Sequence, residues 1–421
     1  MVRRATAVIG RRPLLAAALT APFVARAQGA ARVVVVGGGF GGATCARTLK
    51  AARPALDVTV IESDPEYVAC PFSNEVVAGM RELDRQRFGF ATLARAVNLR
   101  PGRAQAIDPA AQRVTLADGS SLDYDRLVLA PGIDLRFDAL PGYAEAAAQR
   151  MPHAWKAGPQ TLLLRDQLRA MPDGGVVVMS VPANPYRCPP GPYERASLIA
   201  WYLKANKPRS KLILLDDKDA FSKQKLFEQA WANFYPGLVE RVGQSDGGKT
   251  IAVDPAAMTV QTDFETYKAA VASIIPPQRA GAIAVAAGVA DRSGWCPVDP
   301  VSFESRLVPG IHVIGDAAIM GAMPKSAFAA NAQAKVCAEA IAALLDGGTP
   351  QAPLLINTCY SVAAPGYGFS VAGVYRPQNG QLTDIDGAGG TSPLDAPPAQ
   401  RVQEAEEADA WYQTITHQVF G

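Results

Sequence analysis

The chain has 421 residues, long enough for two or three domains of about 150 residues, and 49% of it is hydrophobic, so sizeable cores are available. Forty-one Lys and Arg against 39 Asp and Glu leave a formal charge of +2. With no dense basic run beyond the N-terminus, that balance argues against nucleic acid as a main partner.

The chain opens with Arg11-Arg12, an apolar run from Pro13 to Val24, and Ala25-Arg26-Ala27. Small residues two apart after such a run are what a signal peptidase needs. Residues 1–27 therefore read as an export signal, with the mature chain starting near Gln28 and the periplasm as the expected compartment. The twin arginine points to the Tat route. The run is well short of the roughly 20 residues that span a bilayer. No other stretch reads as long and apolar enough, so stable membrane insertion is not expected.

Arg32-Val33-Val34-Val35-Val36 is a β-branched run of the kind that forms a buried parallel strand. Gly37-Gly38-Gly39-Phe40-Gly41-Gly42 follows and fits G-x-G-x-x-G; a helical stretch comes next, then the strand Val58 to Ile61 ending in Glu62. That is a βαβ dinucleotide-binding unit with its acid in place. Gly37, Gly39 and Gly42 let backbone approach a pyrophosphate at a helix N-terminus, and Glu62 can accept hydrogen bonds from a ribose. Tyr124 to Gly132, with Ala130-Pro131-Gly132 at its turn, resembles the segment closing the first FAD-binding half of disulfide-reductase-like flavoproteins. Ile311 to Asp316 resembles that group's second FAD motif, a strand ending in Gly315-Asp316. FAD is the expected cofactor.

Gly174 to Ser180 reads as a turn and a buried strand, and Leu212 to Leu215 as the next strand, ending in Asp216-Asp217. Between them, where a second glycine loop belongs, stands Val181-Pro182-Ala183-Asn184-Pro185-Tyr186-Arg187-Cys188-Pro189-Pro190-Gly191-Pro192. Proline has no N–H to offer a phosphate. The scaffold persists while the cradle is gone, so NAD(P) binding is not expected.

Six cysteines in an exported chain permit disulfides. They are Cys45, Cys70, Cys188, Cys296, Cys337 and Cys359, and none forms Cys-x-x-Cys or Cys-x-x-Cys-His. Neither a clustered metal site nor a c-type haem on this chain is indicated. Cys45, Cys296 and Cys337 read as packing.

Several long strings together resemble the flavoprotein subunit of flavocytochrome c sulfide dehydrogenase. They are Cys70-Pro71-Phe72-Ser73-Asn74-Glu75, Pro152 to Gly158, Arg187 to Arg195, Ile275 to Gly281, Gly294 to Asp299 and Leu355 to Ser361. The resemblance implies a thioether from Cys70 to FAD, with Pro71-Phe72 a departure that leaves the cysteine intact. It implies that Cys188 and Cys359, 171 residues apart in sequence, form a redox-active disulfide beside the flavin. Sulfide, as HS⁻, would open that disulfide, leaving as sulfur or polysulfide. The electrons would pass through FAD to a c-type cytochrome subunit, in a heterodimer. Glu194 is the candidate general base, and its alternative is a first-turn helix carboxylate favoured by the dipole. Lys325 is the candidate for balancing charge at the flavin ring. Trp411 is read as lying near the flavin or the cytochrome, or as plain core.

The resulting architecture is α/β: a disulfide-reductase-like flavoprotein with two dinucleotide-binding domains and a C-terminal α+β interface domain. The FAD domain takes 30–142 and 280–350; a second Rossmann-like domain lacking the NAD glycine loop takes 143–279; residues 351–421 cover the flavin and face the cytochrome. Three alternatives stand beside this reading. Sulfide:quinone oxidoreductase shares the cysteine logic, but needs a membrane-docking surface, and Glu404, Glu406, Glu407 and Asp409 in the tail would be repelled by an anionic membrane. An NADH-dependent disulfide reductase needs the missing loop. A non-catalytic flavoprotein scaffold of a sulfur-oxidation system leaves the two cysteines without a task.

Overall fold

The computed structural model describes residues 1–2 and 30–421, and the expected export signal falls outside the described residues. The first unit contains β1 (Arg32–Val36), α1 (Phe40–Ala52), β2 (Asp57–Glu62), α2 (Ser73–Ala78), β3 (Asn98–Pro101) and β4 (Arg126–Leu129). The second contains β5 (Val176–Val181), α3 (Gly191–Asn206), β6 (Lys211–Asp216), α4 (Gln224–Phe234), β7 (Val239–Val242) and β8 (Val271–Ile274). The chain then returns to the first unit with β9 (Ile311–Val313) and α5 (Ala327–Leu345). It continues through β10 (Leu355–Ala364), β11 (Tyr367–Gln378), β12 (Gln381–Asp384) and α6 (Pro398–Phe420).

The first sheet is parallel, in the order β9-β4-β1-β2-β3. β1 and β2 run in register from Arg32 opposite Asp57 to Val36 opposite Ile61. Val33 to Val36 are buried, as a run covered on both faces must be. The second sheet, β7-β6-β5-β8, is also parallel. So both expected nucleotide-domain scaffolds are present. The third layer is a β10-β11 hairpin extended by β12, with α6 packed on β11. It is the α+β region read from 351 onward.

Two expectations change here. α5 has 19 residues and a mean hydropathy of 1.2, enough by length and composition to cross a membrane. In the fold it packs along α1, with Ala334, Cys337, Ala338 and Ile341 fully buried, so its apolar surface faces protein. The acidic tail is also less available than its sequence implies. Glu404 is buried against Arg401 and Ser392, and Asp409 pairs with Arg81 at 2.7 Å, which leaves Glu406 and Glu407 exposed. Cys45 on α1 and Cys337 on α5 are fully buried neighbours, and burial drives the Cys337 thiol well up, with Cys45 adding to it.

Candidate active site

A cavity of about 940 Å³ runs from the α1 N-terminus to the β10 strand. That is within the range of ligand sites, roughly 300–1,000 Å³. Its first end is built by the glycine loop. A Cβ on Gly42 would lie 1.8 Å from the Gly37 carbonyl oxygen, and one on Gly37, where φ is +100°, would lie 2.4 Å from the Ala130 oxygen. Only glycine fits at either place, so β1, the loop and the Ala130-Pro131-Gly132 turn close on one another. α1 has no side-chain cap, and Gly39 at its N-cap leaves first-turn N–H groups for a ligand. Glu62 accepts the Gly38 N–H at 2.6 Å and lines the cavity.

Asp316 lines the cavity as well, and its Oδ1 is buried without a hydrogen-bond partner among the described residues. Burial pushes the Asp316 carboxyl up, while Arg187 and Lys325 pull it back. An orphaned buried oxygen beside a glycine cradle and a helix N-terminus is the donor-acceptor set that a dinucleotide satisfies. These residues fit FAD.

Cys70 lines the same cavity, ahead of α2, and its Sγ lies 3.9 Å from the Trp155 carbonyl. Phe72 takes a left-handed backbone, φ +64°, to start the helix. Assigned so that its nitrogen donates, the Gln86 amide reaches Ala69 and Pro71 carbonyls at 3.1 and 2.7 Å and the Tyr412 hydroxyl at 2.7 Å. The Cys70 turn is thereby fastened to α6.

Cys188 and Cys359, far apart in sequence, line this one cavity, and both are free thiols. Cys188 has a left-handed backbone, φ +58°, which is uncommon for a residue with a Cβ. It is held by its N–H donating to the Lys325 carbonyl (2.9 Å) and by the Gly191 N–H donating to its own carbonyl (2.9 Å). A Cβ on Gly191 would sit 3.0 Å from the Cys188 sulfur, so the helix start leaves room for the thiol. Cys188 is exposed to the open cavity, and the protein packed around that cavity, then Glu194 and Cys359, push its thiol up. Asn357 Nδ2 donates to the Cys359 sulfur at 3.2 Å, and Ser326 Oγ donates to Asn357 Oδ1 at 2.6 Å, fixing that amide.

Glu194 sits in the first turn of α3 and also lines the cavity. Its carboxylate accepts Asn74 Nδ2–H at 2.7 Å and the Val362 N–H at 3.0 Å. Burial raises its pKa against those two donors and the nearby Lys223. Asn74 also accepts Arg195 Nε at 3.0 Å and donates to the Gly191 carbonyl at 3.2 Å. Arg195 is fully buried; it donates to the His153 carbonyl at 2.8 Å, and burial lowers its pKa to about 10.

Lys325 is absent from the cavity lining. Its ammonium donates to the Asp316 and Ala318 carbonyls at 2.8 and 2.7 Å and lies 4.0 Å from the Trp295 ring centroid. An aromatic face and two carbonyls thus hold the charge next to Asp316. What Lys325 gives the site is its own carbonyl, which positions Cys188. Trp411 lines the cavity, stacked against Phe328 with centroids 6.1 Å apart.

In the second unit, a buried ion cluster sits at the carboxyl end of β6. Asp216 is fully buried and accepts Lys218 Nζ (2.6 Å), the Tyr193 hydroxyl (2.8 Å) and Arg241 Nε (3.0 Å). Tyr193 stacks on Phe221 at 3.6 Å, and Lys218 also donates to the Pro182 carbonyl at 3.0 Å.

Sequence reasoning assigned no role to Asn74, Arg187, Arg195 or Lys223. Arg187 lines the cavity, and Cys70, Asp316 and Tyr67 are among the groups that support its charge against burial. Lys223 donates to the Cys359 carbonyl from the start of α4. Asn74 and Arg195 stood inside strings already singled out. For Lys223 the only signal was a cation at a helix start, which runs against the dipole.

The family of sulfide dehydrogenase [flavocytochrome c] flavoprotein chains matches in its central region over residues 161–276. The flavocytochrome c sulphide dehydrogenase flavin-binding domain matches over 351–420, and a pyridine nucleotide-disulphide oxidoreductase domain over 31–159. The flavoprotein chain of Chlorobaculum thiosulfatiphilum sulfide dehydrogenase is 54% identical over 48 residues, 11% of this chain and all of that sequence. This chain belongs to the flavocytochrome c sulfide dehydrogenase flavoprotein family. The family's central region here contains Cys188, Glu194 and Lys223, and its flavin-binding region contains Cys359 and Trp411.

More distant relatives act on sulfide with quinones by name. Mouse mitochondrial sulfide:quinone oxidoreductase is 22% identical over 307 residues, 68% of this chain and 65% of that protein. Aquifex aeolicus sulfide-quinone reductase is 31% identical over 185 residues, 44% and 42% of the two. The chain thus spans less than two thirds of either. The solved sulfide:quinone oxidoreductase of Aquifex aeolicus superposes with a TM-score of 0.71, 92% coverage of both chains and 19% identity, which shows a shared fold.

Proposed function

We propose that this flavoprotein oxidises hydrogen sulfide to sulfur or polysulfide through Cys188, Cys359 and FAD, and passes the electrons to a c-type cytochrome subunit. The observation that carries the reading is the meeting of two distant cysteines in the cavity that also holds the glycine cradle, Glu62 and Asp316. Gly37, Gly39, Gly42, Glu62, Ala130 to Gly132, Gly315 and Asp316 would hold FAD, and Cys70 would tether it. Bound FAD supplies a two-electron acceptor beside the cysteine pair.

The chain's own steps follow from thiol chemistry. HS⁻ attacks one sulfur of the oxidised pair; that S–S bond breaks, a persulfide forms, and the other cysteine leaves as thiolate. A second HS⁻ takes the outer sulfur as hydrogen disulfide and leaves both cysteines reduced. Glu194, within reach of the pair's surroundings, takes a proton. The buried ion cluster at Asp216 supports a reaction without NAD(P), since a nucleotide there would have to displace it. Export to the periplasm, by the Tat route, belongs to the same proposal and fits a cofactor that cannot be lost once tethered.

Anaerobic addition of sulfide should bleach the flavin. Cys188→Ser and Cys359→Ser should each abolish that bleaching while dithionite still reduces both variants. Sulfide-driven bleaching that survives both substitutions rejects the mechanism. The quinone-linked reading keeps support from the fold shared with the Aquifex protein. Turnover with cytochrome c against turnover with a soluble quinone separates the two acceptors.

A further inference from the structure

Lys223 stands at the N-cap of α4 in left-handed backbone, φ +63°. Three preferences run against it there. N-caps favour Ser, Thr, Asp or Asn, a helix N-terminus disfavours a cation, and left-handed backbone strains a residue with a Cβ. Its side chain is only 8% exposed, and no carboxylate of the described residues pairs with it. The ammonium donates instead to the Cys359 carbonyl at 2.7 Å and to Ser361 Oγ at 2.8 Å, both on β10. Burial lowers its pKa to about 8, opposed by Cys359, Glu194, Cys188 and Glu404, the acidic groups that β10, α3, the cysteine loop and α6 turn toward it.

We infer that Lys223 is a positioning residue that makes Cys359 the leaving thiolate, so that Cys188 takes the incoming sulfur. This rests on the reaction proposed above. Held on the Cys359 carbonyl, the ammonium couples to charge on Cys359 more strongly than to charge on Glu194 or Cys188. The Asn357 N–H already directed at the Cys359 sulfur adds a donor, held in orientation by Ser326. Cys188 has Glu194 beside it, which works against a thiolate there more strongly than either Arg187 or Lys223 favours one. The step balances. HS⁻ gives an electron pair to the Cys188 sulfur, the Cys188–Cys359 bond breaks, and its pair stays on the Cys359 sulfur. One negative charge enters and one remains, with no outside oxidant, and the persulfide proton is the one Glu194 is placed to accept.

The test reads thiol ionisation directly. The flavin-loaded protein is reduced without oxygen and alkylated with iodoacetamide between about pH 5 and pH 10, and each cysteine is quantified by peptide mass spectrometry. In the wild type, Cys359 should alkylate roughly tenfold faster than Cys188 at neutral pH. Lys223→Met should slow Cys359 labelling roughly tenfold, and Lys223→Arg should restore it. Cys188 labelling first in the wild type overturns the inference without any variant, whatever Lys223→Met does to folding. A Cys359 labelling rate unmoved in folded Lys223→Met overturns it as well. A protein that labels in the expected order yet shows no sulfide-dependent bleaching retires the sulfide reading and the sulfur transfer to Cys188, and leaves only the preference for a Cys359 thiolate.

Discussion

Glu194 accepts the backbone N–H of Val362 at 3.0 Å, so the helix that follows Cys188 is pinned to the strand that carries Cys359. Its carboxyl pKa is raised by burial. The ionised fraction therefore grows as pH climbs through the raised value, and sulfide-driven flavin reduction should gain a limb there. Glu194→Gln should lose that limb and slow the reduction by about 10²-fold, read by anaerobic stopped flow. A raised carboxyl stabilises the fold below its unfolded pKa and loses that contribution as pH rises through the folded one. The variant should consequently show a flatter stability profile. A rate within twofold of wild type removes Glu194 from proton transfer.

Cys70→Ala tests the tether. After acid precipitation, wild-type flavin should stay with the protein pellet, and the variant's flavin should appear in the supernatant. Mass spectrometry of the Cys70 peptide should show the added mass of FAD in wild type alone. Free flavin from wild-type protein rejects the thioether and leaves the cavity assignment intact.

Gly42→Ala puts a methyl group 1.8 Å from the Gly37 oxygen, so the loop or the helix must move. The expected cost is about 1–3 kcal/mol of stability, with flavin content lowered further than stability alone explains. Thermal melts and the flavin-to-protein absorbance ratio measure both. Full flavin occupancy in the variant contradicts the cradle.

His153 is buried, its Nδ1 accepts the Trp155 N–H at 2.9 Å, and burial with Arg195 nearby lowers its pKa to about 3. The unfolded chain takes up a proton near pH 6.5, where the folded chain does not. Stability is thus complete above that pH and falls by up to about 1.4 kcal/mol per unit below it. His153→Asn, whose amide oxygen can accept the same N–H, should lose about 2 kcal/mol less than wild type between pH 7 and pH 5 in urea melts. Equal losses exclude His153 as a source of acid sensitivity.

The first nucleotide unit was legible because its signal is local. Val33 to Val36, the glycines and Glu62 fall within a short stretch, and each carries its own steric or hydrogen-bonding demand. The expectation of no second cradle rests on the prolines alone. The ion cluster in that unit was not legible: Asp216, Lys218, Tyr193 and Arg241 come from separate elements and meet only in the fold. Lys325 was placed by sequence next to a helix start, but its side chain turned to the Trp295 ring, a partner 30 residues away. Lys223 lay outside every quoted string, and its relation to Cys359 spans 136 residues. Reading α5 by composition alone would have left open the membrane that its packing on α1 answers.

Asn74 makes contact with Glu194, Arg195 and the Gly191 carbonyl through a single amide, four residues beyond Cys70. The helix that follows the Cys70 turn and the pocket around the cysteine pair are therefore joined through one amide. Substitutions at Glu194 and Arg195 share that partner, so their effects on any common readout should fail to add. A chemist seeking to retune one end of the cavity would be perturbing the other through this amide.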